Sequence, residues 1–594
     1  MSAIASRTIS LIRSRPVRAD RLWSAFFCLV TLFSIGTLAS VAITTAVQGW
    51  PVVHEIGLGS FLFGQSWMPV DFGTGTTFGI FNFICATLIV SALALALSFV
   101  VSVGAALFLS CAGSTTVRNI VYPAIDLLAG IPSVVYGFVG LVVVVKLFLV
   151  AGHPSGSCVL AAAIVLAVMV IPFMVSSMSD TMTAVKQTYL NASYLLGVPR
   201  WYGIYAIVLP ASMRMLWPSV MLAFARAMGE TMAVMMVVGN ANLFPTLLGK
   251  SETIASLIAL EMGTAAVDST HMHALFAAGF VLLVIVFTVD VIANLIKNRM
   301  HRRTTYSSGA STWILGRVGA RLVQAWAYAS ITLVIGTVVF LFAYVFVQGA
   351  SCMSWDFIFE SPSGAILGTE GGVFPAIAGS IWFSVCALVI AAPLAIGTAI
   401  FTTFYCKHRT IAAAIRRVIA CTAGAPSIVL GLFAYMLLVN ELKLGRCILA
   451  GGVALALMII PFIEVRAEKA LMSIPRELIV NARSLGCSTS YVLRTIAIPY
   501  CLGELFSSLV LGGCYALGAT APLIFTGGVA YAPVPTSIFD PAMALPLHLY
   551  LMLAQGTTVP QVYATAFVLM TLVLFVNLIV TVGAQWGKKQ WNQY

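Results

Sequence analysis

Long uncharged apolar runs alternate with short polar segments from one end of this chain to the other. A run of about 18 or more apolar residues can cross the hydrocarbon core of a bilayer as a helix. The pattern therefore predicts an all-α polytopic membrane protein with about 12 transmembrane helices. Six runs come first, at about Leu22–Val47, Phe78–Ala112, Ile120–Val150, Cys158–Ser179, Leu209–Asn240 and Ala274–Ile296. A basic stretch rich in Ser and Gly follows, from Lys297 to Arg321. Six more runs succeed it, at about Leu322–Gln348, Phe374–Tyr405, Val418–Leu438, Cys447–Ile463, Ile496–Phe525 and Val562–Val582. The expected organisation is a unit of six spans (1–296), a cytoplasmic linker (297–321) and a second unit of six spans (322–594).

The two units are copies. Gly197 and Gly486 stand 289 residues apart (486 − 197 = 289), and Pro172 with Pro461, Pro210 with Pro499 and Gly229 with Gly518 keep that offset. IPSVVYG at Ile131–Gly137 returns as APSIVLG at Ala425–Gly431, at an offset of 294. An even number of spans per copy keeps both in the same orientation. These are two parallel six-helix repeats, expected to be related by a two-fold axis along the membrane normal, with a pathway at their interface.

Composition and charge narrow the class. The chain is 60% hydrophobic and 8% charged, with mean hydropathy +1.03, whereas soluble domains run at about a quarter charged. The net charge of +12 reads as Lys and Arg collected in cytoplasmic loops, not as a nucleic-acid surface. The segments Lys407–Arg417, Arg466–Arg494 and Lys588–Lys589 fall on the side of the N-terminus and the linker, so both termini are expected in the cytoplasm. The loops around Gln65, Glu252 and Asp540 fall outside. The arginines at 7, 13, 15, 18 and 21 precede an apolar run too long for a signal peptide, which predicts an uncleaved first span. Twelve cysteines form no CxxC pair, and Cys85, Cys386 and Cys514 lie inside apolar runs, so they read as small core residues and no metal site is expected.

Two polar segments share one design. NASYLLG (Asn191–Gly197) is followed thirteen residues later by Pro210, and VNARSLG (Val480–Gly486) thirteen residues later by Pro499. Small residues allow close approach to a partner surface, and Gly permits chain reversal. An ordinary helical connector is the alternative. The segments resemble the cytoplasmic loops of ABC importer permeases, which carry Glu-Ala-Ala-x-x-x-Gly and end in Ile-x-Leu-Pro. Ala192, Gly197, Ala482 and Gly486 match, as does IVLP at Ile207–Pro210, while IAIP at Ile496–Pro499 has Ile for Leu. Asn191 and Val480 stand where Glu is usual, and Ser193 and Asn481 each replace an Ala. The resemblance implies a type I ABC importer permease fold whose loops dock two copies of a separate ATPase. LLGKSE at Leu247–Glu252 does not make a P-loop, since Phe244 occupies the position of its first Gly. The chain is expected to be no enzyme and to hold no cofactor, with ATP and Mg bound by that partner.

The sharpest signal is ARAMGETMAV, Ala225–Val234. A charge at the centre of a span costs about 2.5–3.5 kcal/mol on insertion scales and is a functional hypothesis by default. Arg226 and Glu230, at i and i+4, are expected on one face of one helix, either facing an anion or holding helices together. RAMGETMAV and ALGATAPLIFTGG (Ala516–Gly528) are similar to the paired permeases of phosphate importers, and GIPSVVYGFVGL and PAMALPLHLY support this over nearly the whole chain. The resemblance implies import of phosphate or another oxyanion (sulfate, molybdate, a phosphonate), delivered by an extracytoplasmic binding protein. An ion-coupled secondary transporter is the rival class. In the second repeat Tyr515 and Ala519 replace the Arg and Glu usual there, and Tyr515 is expected to offer a hydroxyl to the pathway. Pro132 and Pro426 are expected to kink paired helices, and Asp290 and Glu464 to be solvated near the cytoplasmic ends of spans.

Overall fold

The structure is a computed structural model that describes residues 2–591 except 72, 74, 196, 214, 301–312, 365–366 and 557–558. Among the described residues ten helices are long and apolar enough to cross a membrane, and two bent helix pairs bring the number to as many as twelve. The β-structure among them is a two-residue hairpin, Trp67–Met68 with Thr77–Phe78, plus isolated bridges. Residues 301–312 of the linker expected at 297–321 lie outside the described residues.

The repeat read from glycine and proline spacing recurs in the hydrogen bonds. Val159 N donates to Gly249 O and Ile448 N to Asp540 O, each at 3.0 Å. Ile254 N donates to the Thr87 hydroxyl at 3.1 Å, and Leu545 N to the Ser380 hydroxyl at 2.8 Å. These bonds close the ends of apolar helices whose backbone has no water to turn to.

The first helix of each half crosses to the other half. Ser2–Ile56 packs on Thr270–Met300 of its own repeat and on Phe374–Ile400 of the second; Trp313–Ala350 packs on Val559–Trp591 and on Phe81–Leu107 of the first. Glycine makes both crossings close. A Cβ on Gly104 would lie 2.8 Å from Ser330 Cβ, and one on its repeat Gly397 would lie 2.8 Å from Val30 Cγ1.

Three expectations are corrected. The apolar runs at 120–150 and 418–438 are not single helices. Thr115–Ala129 ends before Ser133–Val139, and Arg409–Thr422 meets Ser427–Glu441 at 94°. Pro132 (φ −58, ψ 138) and Pro426 (φ −60, ψ 128) are the extended residues between the segments, so the chain breaks where a kink was expected. The run at 209–240 is also broken: Arg200–Met213 meets Trp217–Met228 at 58°, and the helix stops before Met232–Met235. Finally, Asp290 and Glu464 are buried, 6% and 1% exposed, and not solvated. Asp290 lies against the Gly424 turn of the opposite half, and the helix of Glu464 is enclosed over most of its length.

These breaks meet at the centre. A Cβ on Gly229 would lie 3.1 Å from Pro426 Cα, and one on Gly518 would lie 3.2 Å from Pro132 Cα. Each half thus sets the end of its charged or substituted helix against the proline break of the other.

Candidate functional site

Arg226 occupies the last turn of Trp217–Met228, and Glu230 and Thr231 follow in the gap before Met232. The helix ends between the two charges, so Arg226 and Glu230 are not one turn apart on a continuous face. Gly229, which ends it, is the residue that must lie against Pro426. Arg416 with Glu468 and His271 with Glu261 form ion pairs within 4 Å, whereas Arg226 and Glu230 do not. Glu230 instead has the Ser133 hydroxyl and the backbone N–H groups of Thr231 and Ala233 as its polar neighbours.

Aromatic faces hold the guanidinium. Its Cζ lies 5.3 Å from the Phe173 ring of the first half and 5.1 Å from the Tyr515 ring of the second. Such contacts contribute about 0.5–2 kcal/mol and leave the N–H edge of the fork free to donate. Phe462 is the 289-residue repeat of Phe173, and its ring packs on Tyr515 at 4.6 Å. Tyr515 therefore occupies the place of Arg226 on the equivalent ring, and also closes the other face of Arg226 itself.

Arg226 lines a cavity of about 70 Å³ between the halves, with Ser133, Tyr136, Phe173, Glu230 and Thr231 from one side and Ser427, Tyr515 and Thr520 from the other. Since about 10–15 Å³ of such volume admits a water, several waters or one small anion fit. A second cavity of about 40 Å³, lined by Thr422, Gly424 and Ser427, opens on Arg226 as well. Pro132 also lines the larger cavity.

The paired polar segments differ in backbone. Val159–Leu195 is one helix that runs through Asn191, Ala192 and Ser193, whereas Ile448–Met472 stops and a separate helix, Arg476–Ser484, carries Asn481 and Ala482. Pro475 starts that second helix; its counterpart is Lys186, which continues the first helix and donates to Ser110 O at 3.0 Å. Both segments then turn alike, at Gly197 (φ +75) and Gly486 (φ +83). Val198 N donates to Ser193 O at 3.2 Å and Cys487 N to Ala482 O at 3.1 Å. Asn481 is exposed, and the side chains of Asn191 and Ala192 lie outside those described.

Phe173, Phe462, Thr231 and Thr520 are site residues that motif reading passed over. The 289-residue offset pairs each with its counterpart and could have drawn them out. His271 shares the Glu261 carboxylate with Trp67: Nε2 lies 2.7 Å from Oε2 and the indole N–H donates at 2.8 Å. Among the described residues no group of three or more His, Cys, Asp or Glu side chains is placed to hold a metal.

The chain matches the family described as binding-protein-dependent transport system inner membrane component, over residues 102–302 and again over 391–586. It is 34% identical over 310 residues to the phosphate transport system permease protein PstC of Xylella fastidiosa, covering 49% of this chain and 94% of the relative. It is 27% identical over 258 residues to the probable ABC transporter permease protein YqgI of Bacillus subtilis, covering 41% and 87%. Over 579 residues it is 23% identical to the phosphate transport system permease protein PstA homolog of Mycoplasma pneumoniae, covering 84% and 88%. The chain belongs to the binding-protein-dependent transport system inner membrane component family and is a multi-pass permease carrying two copies of its unit.

Proposed function

We propose that this chain is the whole membrane pathway of an ABC importer for inorganic phosphate, made of a first permease unit (1–296), a cytoplasmic linker (297–321) and a second unit (322–594). An extracytoplasmic binding protein delivers the anion, and two copies of a cytoplasmic ATPase drive alternating access. Both termini lie in the cytoplasm of a bacterial inner membrane. The observation that carries this reading is the Arg226 guanidinium, held between rings from both halves at a cavity, with no ion pair to Glu230. A cation so placed meets an anion at the interface where parallel repeats put a pathway, and its fork can engage two oxygens of a tetrahedral oxyanion. Tyr515 braces the cation with its ring, and Glu230 lines the same cavity.

The ATPase subunits dock on Asn191–Arg200 and Val480–Thr489. Leu195 and Leu485, beside the turning glycines, are 90% and 84% exposed and offer apolar contacts to such partners. The names of the relatives support phosphate; the replacement of the second Arg and Glu by Tyr515 and Ala519 favours a second reading, another oxyanion.

The test is labelled-phosphate uptake by cells lacking their own phosphate permeases and supplied with this chain, its ATPase and its binding protein. Uptake that disappears in Arg226→Gln and in a Gly197→Val, Gly486→Val double variant supports both assignments. Normal uptake by an Arg226→Gln, Glu230→Gln double variant removes the anion role from Arg226. Absence of phosphate uptake with the ATPase still bound moves the substrate to another oxyanion.

A further inference from the structure

The cavity beside Arg226 is lined by two threonines at equivalent places in the two repeats. Thr231 follows the helix end at Gly229, and Thr520 follows the helix end at Gly518; they stand 289 residues apart (520 − 231 = 289). Both are 1% exposed, both line the cavity, and the hydroxyl of each has no hydrogen-bond partner among the described residues. Buried hydroxyls are satisfied in the large majority of cases, so a symmetric pair left open at one cavity requires an explanation. Of the neighbouring polar groups, the Tyr136 hydroxyl is already committed, to Leu128 O at 2.7 Å.

We infer that the Thr231 and Thr520 hydroxyls are a matched pair of ligands for the transported tetrahedral oxyanion, one from each half, flanking the Arg226 guanidinium. This rests on the reading of Arg226 as the anion-facing cation. A hydroxyl donates to a bare anion oxygen and accepts from a protonated one, so the pair suits an anion that carries both. The arrangement also explains why the second repeat functions without its own Arg and Glu. Charge recognition comes from the first half alone, while hydrogen bonding is retained by both. Because each hydroxyl rides on a helix end set against the opposite proline break, movement between the halves changes their separation and so makes or breaks the paired site.

The experiment uses the full chain with its ATPase and binding protein, bearing Thr231→Val, Thr520→Val or both, with Thr→Ser variants as references. Two quantities are read: uptake rate, and the shift in thermal unfolding midpoint of the detergent-purified chain on adding inorganic phosphate, sulfate or molybdate. A hydroxyl without partners contributes nothing to the empty fold, so Val leaves the anion-free midpoint unchanged or raised. The double Val variant is expected to lose uptake by roughly tenfold or more, together with the anion-induced shift, while the double Ser variant keeps both. Wild-type phosphate uptake that persists undiminished in the double Val variant overturns the threonine pair and leaves the phosphate reading standing. A wild-type response to sulfate or molybdate but not phosphate, lost in the double Val variant, upholds the pair and overturns phosphate. No wild-type response to any of the three anions overturns both. Should the Val chain fail to assemble, Thr→Ala against Thr→Ser decides in the same way.

Discussion

The two halves share a backbone and differ in where they place charge. In the first, Arg226 and Glu230 sit at the central break, while away from it the hydroxyls of Tyr122 and Ser179 hydrogen-bond. In the second, the centre carries Tyr515 and Ala519, and the positions equivalent to Tyr122 and Ser179 are Arg416 and Glu468, which form an ion pair at 2.6 Å. The Glu468 carboxylate accepts from the Thr402 hydroxyl as well, at 2.5 Å. Each half therefore keeps one charged couple and one neutral couple, in opposite places. Geometry is what the repeats conserve between themselves, through the glycine–proline contacts; chemistry is divided between them. A membrane interior explains the pairing, because a lone charge there is costly and an Arg or Glu is best lost together with its companion.

The comparison breaks most visibly at the centre. Arg226→Gln is expected to lower uptake roughly a hundredfold, as loss of a desolvated charge that meets an anion does, whereas Tyr515→Phe lowers it only about threefold because the ring remains. Equal effects in the uptake assay would mean that the halves contribute alike.

The outer loops give an opposite pair of pH responses. Burial, with Glu261 adding to it, pushes the Glu252 carboxyl up to about 7 from 4.5, while backbone N–H groups of Thr536 and Ser537 hold the exposed Asp540 carboxyl below its ordinary value. A raised folded-state value stabilises below the unfolded one, so the Glu252 contribution is full below about pH 4.5 and lost as pH rises through about 7. The Asp540 contribution is present above its unfolded value of 3.8 and lost as pH falls through the lower folded one. Thermal midpoints of Glu252→Gln should therefore match wild type near pH 4.5 and exceed it at pH 8.

Away from the central break, Arg416→Met leaves Glu468 buried without its cation. Since Arg416 is about a third exposed, the cost is set below the ~3–5 kcal/mol of a fully buried pair, at about 2 kcal/mol. Tyr122→Phe in the first half should cost about 1 kcal/mol. Unfolding midpoints of the two variants check the ranking.

The smallest effect concerns the turn after each paired polar segment. Arg200 donates to Cys111 O at 2.6 Å, while its counterpart Thr489 and the next residue, Ser490, donate their N–H groups to Asp20, both at 2.9 Å. Asp20 belongs to the first helix of the opposite half. Asp20→Ala is expected to cost about 1 kcal/mol, as loss of a helix cap does, and to speed amide exchange at 489–490 while leaving the Arg200 guanidinium on Cys111 O.

Much of this was legible in the residues. Apolar run length set the number of membrane segments, because a bilayer admits only helices or closed barrels. The 289-residue offset revealed the repeat, and the rarity of intramembrane charge singled out Arg226. The glycines before the docking turns were legible because a left-handed backbone favours Gly. Three things were decided only by tertiary structure. Whether Ile120–Val150 is one helix depends on whether a neighbour accepts a broken end, and here Gly518 does. Whether Arg226 pairs with Glu230 depends on where Gly229 ends the helix, and a contact with Pro426 in the other half places that end. Whether Asp290 and Glu464 meet water depends on what the opposite half and neighbouring helices lay over them. Local sequence carries hydrophobicity, period and backbone permission; the partners that close on a break or cover a carboxylate come from residues hundreds of positions away, and only folding brings them together.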